Sequence, residues 1–182
     1  CLIDPHSDLS LTCLGYLAER GFFDDASGYR RLVYVDFGQG GHLPFNVLAG
    51  RDEPHTRALS AYEALTRAWP DLRTAPLFAT LFLSCALTLI ANDLPLTSIN
   101  ELLLDRDFRR QCLANVSDPL VHQALAYYER HGQGQAGSTL RRVFLLSFSP
   151  VTRGILGQHE NTLDIRGMMD SGTSLIVNLG TI

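Results

Sequence analysis

Lysine is missing from the sequence. All 15 basic residues among the 182 are arginine. No ammonium side chain can therefore serve as the lysine of a phosphate-binding loop or as a Schiff-base nucleophile. This absence excludes a complete P-loop nucleotide site, and any lysine-based catalytic site, within these residues.

Cysteine is scarce and irregularly spaced. The four cysteines are Cys1, Cys13, Cys85 and Cys112, each in apolar surroundings. No two of them have the short spacing that is typical of zinc sites or disulfide frameworks. We therefore expect buried free thiols and no metal site.

The sequence has no excess of positive charge and no leader-like start. Its formal net charge is −4 and its pI is near 5.8, which argues against a whole surface dedicated to nucleic-acid phosphates. No charged segment followed by an apolar one opens the chain, so we expect a cytoplasmic protein. Because the chain starts at Cys1 directly on an apolar run, we also expect it to be a piece of a longer protein.

The most apolar stretch, residues 75–91, carries only Thr80, Ser84 and Thr88 as polar residues. These recur at helical spacing on one face. The stretch is also shorter than the roughly 20 residues that a membrane-spanning helix needs. It therefore predicts a buried helix at the centre of a globular lobe and no membrane span.

Strand-like runs occur near both ends of the sequence. We predict strands at 1–4, 32–36 and 174–179, and a helix at 8–19 between the first two. Strand, helix and strand at this spacing indicate a βαβ unit whose strands pair in parallel. The predicted fold class is therefore α/β.

Helical patterns fill the sequence between the second and third strands. We predict helices at 55–69, 76–92, 99–104, 105–115, 119–131, 138–146 and 162–169. The predicted organisation is the first part of an α/β core at 1–50, a helical lobe inserted at 51–150, and a return to the core at 151–182. The strand that ends this last segment needs a covering layer to bury both of its faces.

The segment Asp4-Pro5-His6-Ser7-Asp8 follows the first predicted strand. Parallel α/β sheets bind their ligands at the carboxyl ends of the strands. Two carboxylates and an imidazole at this point could coordinate a divalent ion or orient a water for phosphoryl chemistry. The structural alternative is a turn in which Pro5 stops the strand while Ser7 or Asp8 caps the helix.

A second enzyme class fits some of the same residues. Asp4 and His6 at a strand end, together with the block Gly-Gln-His-Glu at 157–160, resemble part of a metal-dependent phosphoesterase that would use Asp4, His6 and His159. Such enzymes also need a Gly-Asp-x-x-Asp segment to supply the carboxylate that bridges two metals. The helical stretch offers no such segment, so this is the weaker hypothesis.

Several sequence blocks occur in an order that resembles one family. They are Leu-Ile-Asp-Pro-His-Ser-Asp at 2–8, Phe-Asn-Val-Leu at 45–48, Arg-Gly-Ile-Leu-Gly-Gln at 153–158, Leu-Asp-Ile-Arg-Gly-Met-Met-Asp-Ser-Gly at 163–172 and Leu-Ile-Val-Asn-Leu at 175–179. In this order they resemble the conjugative DNA-transfer and type IV secretion ATPases, which include the coupling proteins, within the HerA and FtsK branch of ring-forming P-loop motors. The resemblance covers most of the chain.

The resemblance implies a partial P-loop (RecA-like) parallel sheet with a large inserted all-α lobe. In the family, the phosphate loop precedes the Asp-Pro-His-Gly-Asp strand, and the Asp-Glu strand that serves magnesium and water follows the last strand seen here. The implied activity is ATP-dependent DNA translocation by the intact parent, which binds ATP and magnesium. We expect this chain alone to bind neither tightly and to be inactive as an ATPase.

The resemblance also implies site residues. Asp4, His6 and Asp8 would face the nucleotide, and Asp8 would help to hold or activate the attacking water. Arg153 and Arg166 are candidates for reaching the phosphate of a neighbouring subunit, since a guanidinium in trans neutralises charge during phosphoryl transfer. The alternative for each arginine is a solvated or ion-paired helix residue.

One position departs from the family pattern. Ser7 stands where the family usually has glycine. A left-handed backbone at Ser7 would be strained, because only glycine adopts that conformation without a steric penalty.

Partners and location are implied by the same resemblance. They are a homo-oligomeric ring, hexameric by analogy, DNA, and proteins of secretion or conjugation, in the cytoplasm at the inner face of the membrane through regions outside these residues. Arginines of the lobe could touch DNA, although neighbouring aspartates cancel much of their field; they are Arg106, Arg109, Arg110, Arg130, Arg141 and Arg142. The alternative function is a non-catalytic protein-interaction module.

Overall fold

Three apolar runs form short strands in a computed structural model of the chain, which describes residues 1–37, 43–75, 77–131 and 137–180. The strands are Leu2–Asp4 (β1), Leu32–Asp36 (β2) and Ser174–Asn178 (β3). They form one parallel sheet in the order β1-β3-β2. The fold is therefore mixed α/β, as predicted. The described part leaves out residues 38–42, 76, 132–136 and 181–182. These residues belong to the predicted core and lobe segments at 1–50, 51–150 and 151–182.

Helices make up most of the rest of the described chain. They are Asp8–Glu19 (α1), Ala26–Arg30 (α2), Pro54–Ala68 (α3), Phe78–Ala91 (α4), Ile99–Leu104 (α5), Arg106–Leu113 (α6), Pro119–His131 (α7), Gly137–Phe148 (α8), Pro150–Leu156 (α9) and Ile165–Asp170 (α10). Short 3₁₀ turns at Pro70–Arg73 and Leu96–Ser98 connect some of them.

Contacts within the chain define two units. The α/β unit comprises Cys1–Leu43 and Thr162–Ile182, and the helical unit comprises Pro44–Asn161. The helical unit thus enters the sequence after β2 and leaves it before α10. The sequence-based division places the limits of the lobe at 51 and 150.

The strand that comes last in the sequence lies at the centre of the sheet. β3 pairs with β1 through Leu2 and Ile176, and its last residue, Asn178, is the register partner of both Asp4 and Asp36. The strands are parallel, but the direct pairing of β1 with β2 expected from the βαβ pattern is wrong. The physical reason is burial. Ile176 is only 4% exposed, and an apolar strand hides most surface with a neighbour on each edge.

α2 is a short helix that the sequence analysis did not predict. Asp25 caps it by accepting hydrogen bonds from the N–H groups of Ser27 at 2.7 Å and Gly28 at 3.2 Å. At Gly28 a Cβ atom would lie 1.7 Å from the carbonyl oxygen of Phe22. Only glycine fits at this close approach between the turn and the helix.

The core of the helical unit is built around α4, the helix predicted from the apolar stretch. Phe78 and Phe82 stack with ring centroids 5.6 Å apart, and Phe82 and Leu89 are fully buried. The helix begins at Phe78, because Leu77 has a left-handed backbone (φ 61°) that a continuing helix does not allow. The predicted start at residue 76 lies outside the described residues. Within the described part of the chain, none of the helices combines the length and the apolar character that a membrane crossing requires.

A buried arginine joins three helices of this unit. Arg109 in α6 is 6% exposed. Its guanidinium donates hydrogen bonds to the carbonyls of Leu102 at 2.9 Å and Leu103 at 3.2 Å, and lies 3.6 Å from a carboxylate oxygen of Glu129 in α7. Arg109 therefore satisfies carbonyls at the end of α5 and is not free to contact DNA.

Asn46 ties the entry of the helical unit to its exit. Its side-chain amide donates to the carbonyl of His159 at 3.1 Å and accepts from the N–H of Leu48 at 2.9 Å, while its backbone N–H donates to the side chain of Asn161. Asn46 is 3% exposed. These contacts close the inserted unit at the point where the chain enters and leaves it.

The cysteines are free thiols, as predicted. Cys85 and Cys112 are buried, but Cys1 is exposed and Cys13 is partly exposed. The expectation of burial is therefore wrong for Cys1, which precedes an edge strand. Burial raises the pKa of the Cys85 thiol to about 12, because it disfavours the thiolate.

Candidate functional site

The turn after β1 is organised by the carboxylate of Asp4. Its Oδ1 accepts a hydrogen bond from the N–H of His6 at 3.0 Å, and its Oδ2 accepts one from the N–H of Ser10 at 2.7 Å. Ser10 is the third residue of α1, so its N–H has no partner within the helix. Ser7 occupies the N-cap position of α1 and Asp8 is the first residue of the helix, but the side chain of Ser7 makes no capping hydrogen bond. The side chain that caps the N–H of Ser10 is that of Asp4.

These hydrogen bonds lower the pKa of the Asp4 carboxyl. The N–H of Ser10 contributes most, burial works in the opposite direction by disfavouring the charge, and the N–H of His6 adds to the lowering. Asp4 is 4% exposed. Because it is buried and both of its oxygens accept backbone donors, this geometry favours a positioning role for Asp4.

Ser7 takes the backbone conformation that glycine adopts without strain. Its φ is 71° and its ψ is −14°, in the left-handed region. Its hydroxyl donates a 2.8 Å hydrogen bond to Oδ1 of Asn178, which also accepts from the N–H of Gly180 at 3.0 Å. The turn after β1 is thus connected to the end of β3.

A row of polar side chains crosses the carboxyl end of the sheet. Asp4, Asn178 and Asp36 end β1, β3 and β2 and are register partners. The amide of Asn178 donates to Oδ1 of Asp36 and to the hydroxyl of Tyr34, each at 3.3 Å, and that hydroxyl donates to Oδ2 of Asp36 at 3.1 Å. This polar row lies at the edge where parallel α/β sheets bind ligands.

His6 and Asp8 share the turn with Asp4 and are both exposed. Asp8 is the first residue of α1, where the helix dipole favours a negative charge. The structure thus brings Asp4, His6 and Asp8 together in one turn. A ligand could reach the side chains of His6 and Asp8 from solvent.

The other candidate residues lie elsewhere. Arg166 is exposed in α10 of the α/β unit, whereas Arg153, in α9, and His159 belong to the helical unit. Nδ1 of His159 lies 2.7 Å from the carbonyl oxygen of Asp93. Among the described residues, no three His, Cys, Asp or Glu side chains form a group that could hold a metal ion.

Most of the lobe arginines suggested for DNA contact form ion pairs. Arg106 lies 2.6 Å from Glu129, and Arg142 lies 2.6 Å from Asp71. Arg110 pairs with Asp107 at 3.5 Å, and Arg109 is buried. Arg141 differs, because together with Arg153 it lines a cleft of about 580 Å³ in the helical unit.

Sequence reasoning missed four residues of the network, Ser10, Tyr34, Asp36 and Asn178. A usable signal existed for two of them, because Asp36 and Asn178 are the polar residues that end apolar strands, as Asp4 does. Since the carboxyl ends of parallel strands meet at one edge, all three could have been placed together. Ser10 and Tyr34 carry no such signal.

The chain was compared with protein-family models, with curated proteins and with solved structures, and none of these comparisons gave a match. The family resemblance read from the sequence blocks therefore stays a prediction.

Proposed function

We propose that the chain is part of a ring-forming ATPase that moves DNA, of the conjugative-transfer or type IV secretion type. It would supply parallel strands, the acidic turn and the helical lobe of a P-loop (RecA-like) fold. The observation that supports this proposal is the polar row of Asp4, Asn178 and Asp36 across the ends of three parallel strands. Nucleotides bind at this edge in parallel α/β folds.

The chain contributes the turn beside the nucleotide, while the phosphate-binding lysine comes from residues outside these 182. No lysine is present, and the buried carboxylate of Asp4 already accepts two backbone donors. These residues alone do not fit tight binding of ATP and magnesium, which the intact parent would bind. In the proposal Asp4 holds the turn, His6 lines it, and the exposed Asp8 orients the attacking water.

The proposal also gives the arginines and the partners a place. Arg166 is exposed in the α/β unit and remains the candidate for reaching the phosphate of a neighbouring subunit in a hexameric ring, whereas Arg153 lines the cleft of the helical unit. DNA and proteins of secretion or conjugation are the proposed partners, with the parent at the cytoplasmic face of the membrane.

ATP turnover tests the proposal. The 182-residue chain should show none, whereas a protein extended by its flanking coding sequence should hydrolyse ATP and respond to DNA. In the extended protein, Asp8→Asn should lower kcat about a hundredfold or more, because a water-orienting group is lost. The matched control is Glu19→Gln at the other end of α1, which removes an exposed carboxylate and should change kcat less than twofold.

Two results would overturn the proposal. One is turnover by the 182-residue chain itself, which would contradict the argument from the missing lysine. The other is an upstream coding sequence without a Gly-x-x-x-x-Gly-Lys-Ser/Thr loop, in which case the interaction-module hypothesis replaces the motor.

A further inference from the structure

An open cleft in the helical unit combines positive charge with apolar surface. It has a volume of about 580 Å³, within the range of ligand sites. Its described lining residues come from α5, α8 and α9, and they are Asn100, Leu104, Arg141, Phe144, Ser147 and Arg153.

The charge in this cleft has one sign. Arg141 and Arg153 are exposed, and none of the described lining residues is acidic. The ion pairs found in the described part of the chain do not include either arginine. Two guanidinium groups are therefore available for an anion, although the whole chain carries a net charge of −4.

Two aromatic residues lie on the same face of α8 as Arg141. Arg141, Phe144 and Phe148 are spaced by three and four residues, so they lie on one face of the helix. Phe144 is 56% exposed and Phe148 is 71% exposed, with ring centroids 5.8 Å apart. Exposed aromatic rings beside arginines provide stacking surfaces next to charge.

We propose that this face of α8 and the adjoining cleft bind single-stranded nucleic acid. Bases stack on Phe144 and Phe148, and Arg141 and Arg153 pair with backbone phosphates, which is how sequence-tolerant single-strand sites combine rings and charge. The exposure of both rings favours a strand that passes across the face, because a pocket for a free nucleotide encloses most of its ligand.

This inference names where the DNA of the proposed function meets the lobe, but it does not require ATP turnover. Binding by the 182-residue chain tests the cleft, and hydrolysis by the extended protein tests the motor. Failure of one is therefore distinguishable from failure of the other.

The experiment measures fluorescence anisotropy of a labelled 20-mer of thymidylate titrated with the 182-residue chain. Phe144→Ala should weaken binding about fivefold to a hundredfold, the value of one stacked base, while Phe144→Tyr keeps the ring and stays within about threefold of the parent. In a plot of log K against the logarithm of the salt concentration, Arg141→Ala and Arg153→Ala should each reduce the magnitude of the slope by about 0.7.

Matched controls separate the cleft from general charge and from folding. Arg67→Ala removes an exposed arginine of α3 and should change binding less than twofold. If Phe144→Ala loses its helical circular dichroism, Phe148→Ala replaces it, because that ring is more exposed. A uridylate 20-mer distinguishes RNA from DNA as the source, and AMP as competitor distinguishes a free nucleotide.

Three outcomes would overturn the proposal: no binding of either 20-mer, binding that Phe144→Ala and Phe148→Ala leave unchanged, and displacement by AMP as effective per nucleotide as by the 20-mer. Binding of an acidic peptide in place of both 20-mers would assign the face to a protein partner.

Discussion

Ser7 provides the sharpest test of the acidic turn, because two opposing effects meet in one residue. Its left-handed backbone, with φ 71°, is unfavourable for any residue with a Cβ atom by about 1 to 2 kcal/mol. Its hydroxyl donates a 2.8 Å hydrogen bond to Asn178, which stabilises the fold by about 1 kcal/mol. Ser7→Ala loses only the hydrogen bond, whereas Ser7→Gly loses the hydrogen bond and the strain together.

The magnitudes follow from these two contributions. Ser7→Ala should lower the free energy of unfolding by about 1 kcal/mol and not more, because Oδ1 of Asn178 keeps its second donor, the N–H of Gly180. Ser7→Gly releases the strain, but the greater conformational freedom of glycine stabilises the unfolded chain by about 0.5 to 1 kcal/mol. The difference of these two terms makes the glycine variant at least as stable as the alanine variant, and more stable by up to about 1.5 kcal/mol.

Native-state hydrogen exchange of the β3 amides in increasing urea is the suitable assay, because it reports on the α/β unit and is not dominated by the larger helical unit. Thr12 is the control, since it lies in the middle of α1 and its hydroxyl also donates a hydrogen bond, to the carbonyl of Asp8. There the order should reverse, with Thr12→Gly less stable than Thr12→Ala by about 1 kcal/mol. A Ser7→Gly variant less stable than Ser7→Ala by about 1 kcal/mol, as expected at Thr12, would refute the strained turn.

Three further predictions concern other buried groups. Asp4→Asn should be less stable than the parent at pH 7. Because the Asp4 pKa lies below its ordinary 3.8, the stabilisation by the carboxylate is present above pH 3.8 and is lost as the pH falls through the lowered pKa. The urea midpoints of the two proteins should therefore converge at the pH of that lowered pKa. Asn46→Ala should destabilise the helical unit by about 2 to 3 kcal/mol in urea unfolding followed by the fluorescence of Trp69, because two hydrogen bonds are lost and the N–H of Leu48 stays buried. Asn46→Asp should be no milder, because it places a buried carboxylate against the carbonyl oxygen of His159. Iodoacetamide at pH 8 should label Cys1 in the folded protein but reach Cys85, whose pKa is raised to about 12, only after unfolding; rapid labelling of Cys85 without urea would contradict its burial.

Elements with local signals could be predicted from the sequence. β2, α1, α5 and α7 begin and end where the sequence patterns place them, because apolar periodicity and helix-start residues are properties of neighbouring positions. α2 and α9 were not predicted, although Asp25 and the pair Ser149-Pro150 are recognisable helix-start signals. Asp25 and Ser149 are such signals because their side chains accept N–H groups of the first turn. Both helices are too short, at five and seven residues, to show a clear apolar period.

The candidate site was only partly predictable, because its contacts are not local. The acidic turn is recognisable in the sequence, and its position at a strand end follows from the pattern of β1. The partner of Ser7 lies 171 residues away, and the central position of β3 depends on burial from both sides. The polar residues that end the three strands could be placed at one edge from the sequence, but the order of the strands and the contact of Ser7 with Asn178 could not.

The pairing of β3 with strands from the start of the chain also explains why the two ends of the helical unit are held together. Pairing β1 and β2 with β3 requires the chain to return after the 118 residues of Pro44–Asn161, and closing a flexible loop is entropically more unfavourable the longer it is. Asn46 shortens the effective length of that loop, because its contacts with His159 and Asn161 bring the two ends of the insertion within hydrogen-bonding distance. Once the helical unit has folded, only the short connections outside it remain to be ordered when β3 docks. The pairing of β3 with β1 and β2 is therefore entropically less unfavourable once Asn46 has joined the two ends of the insertion.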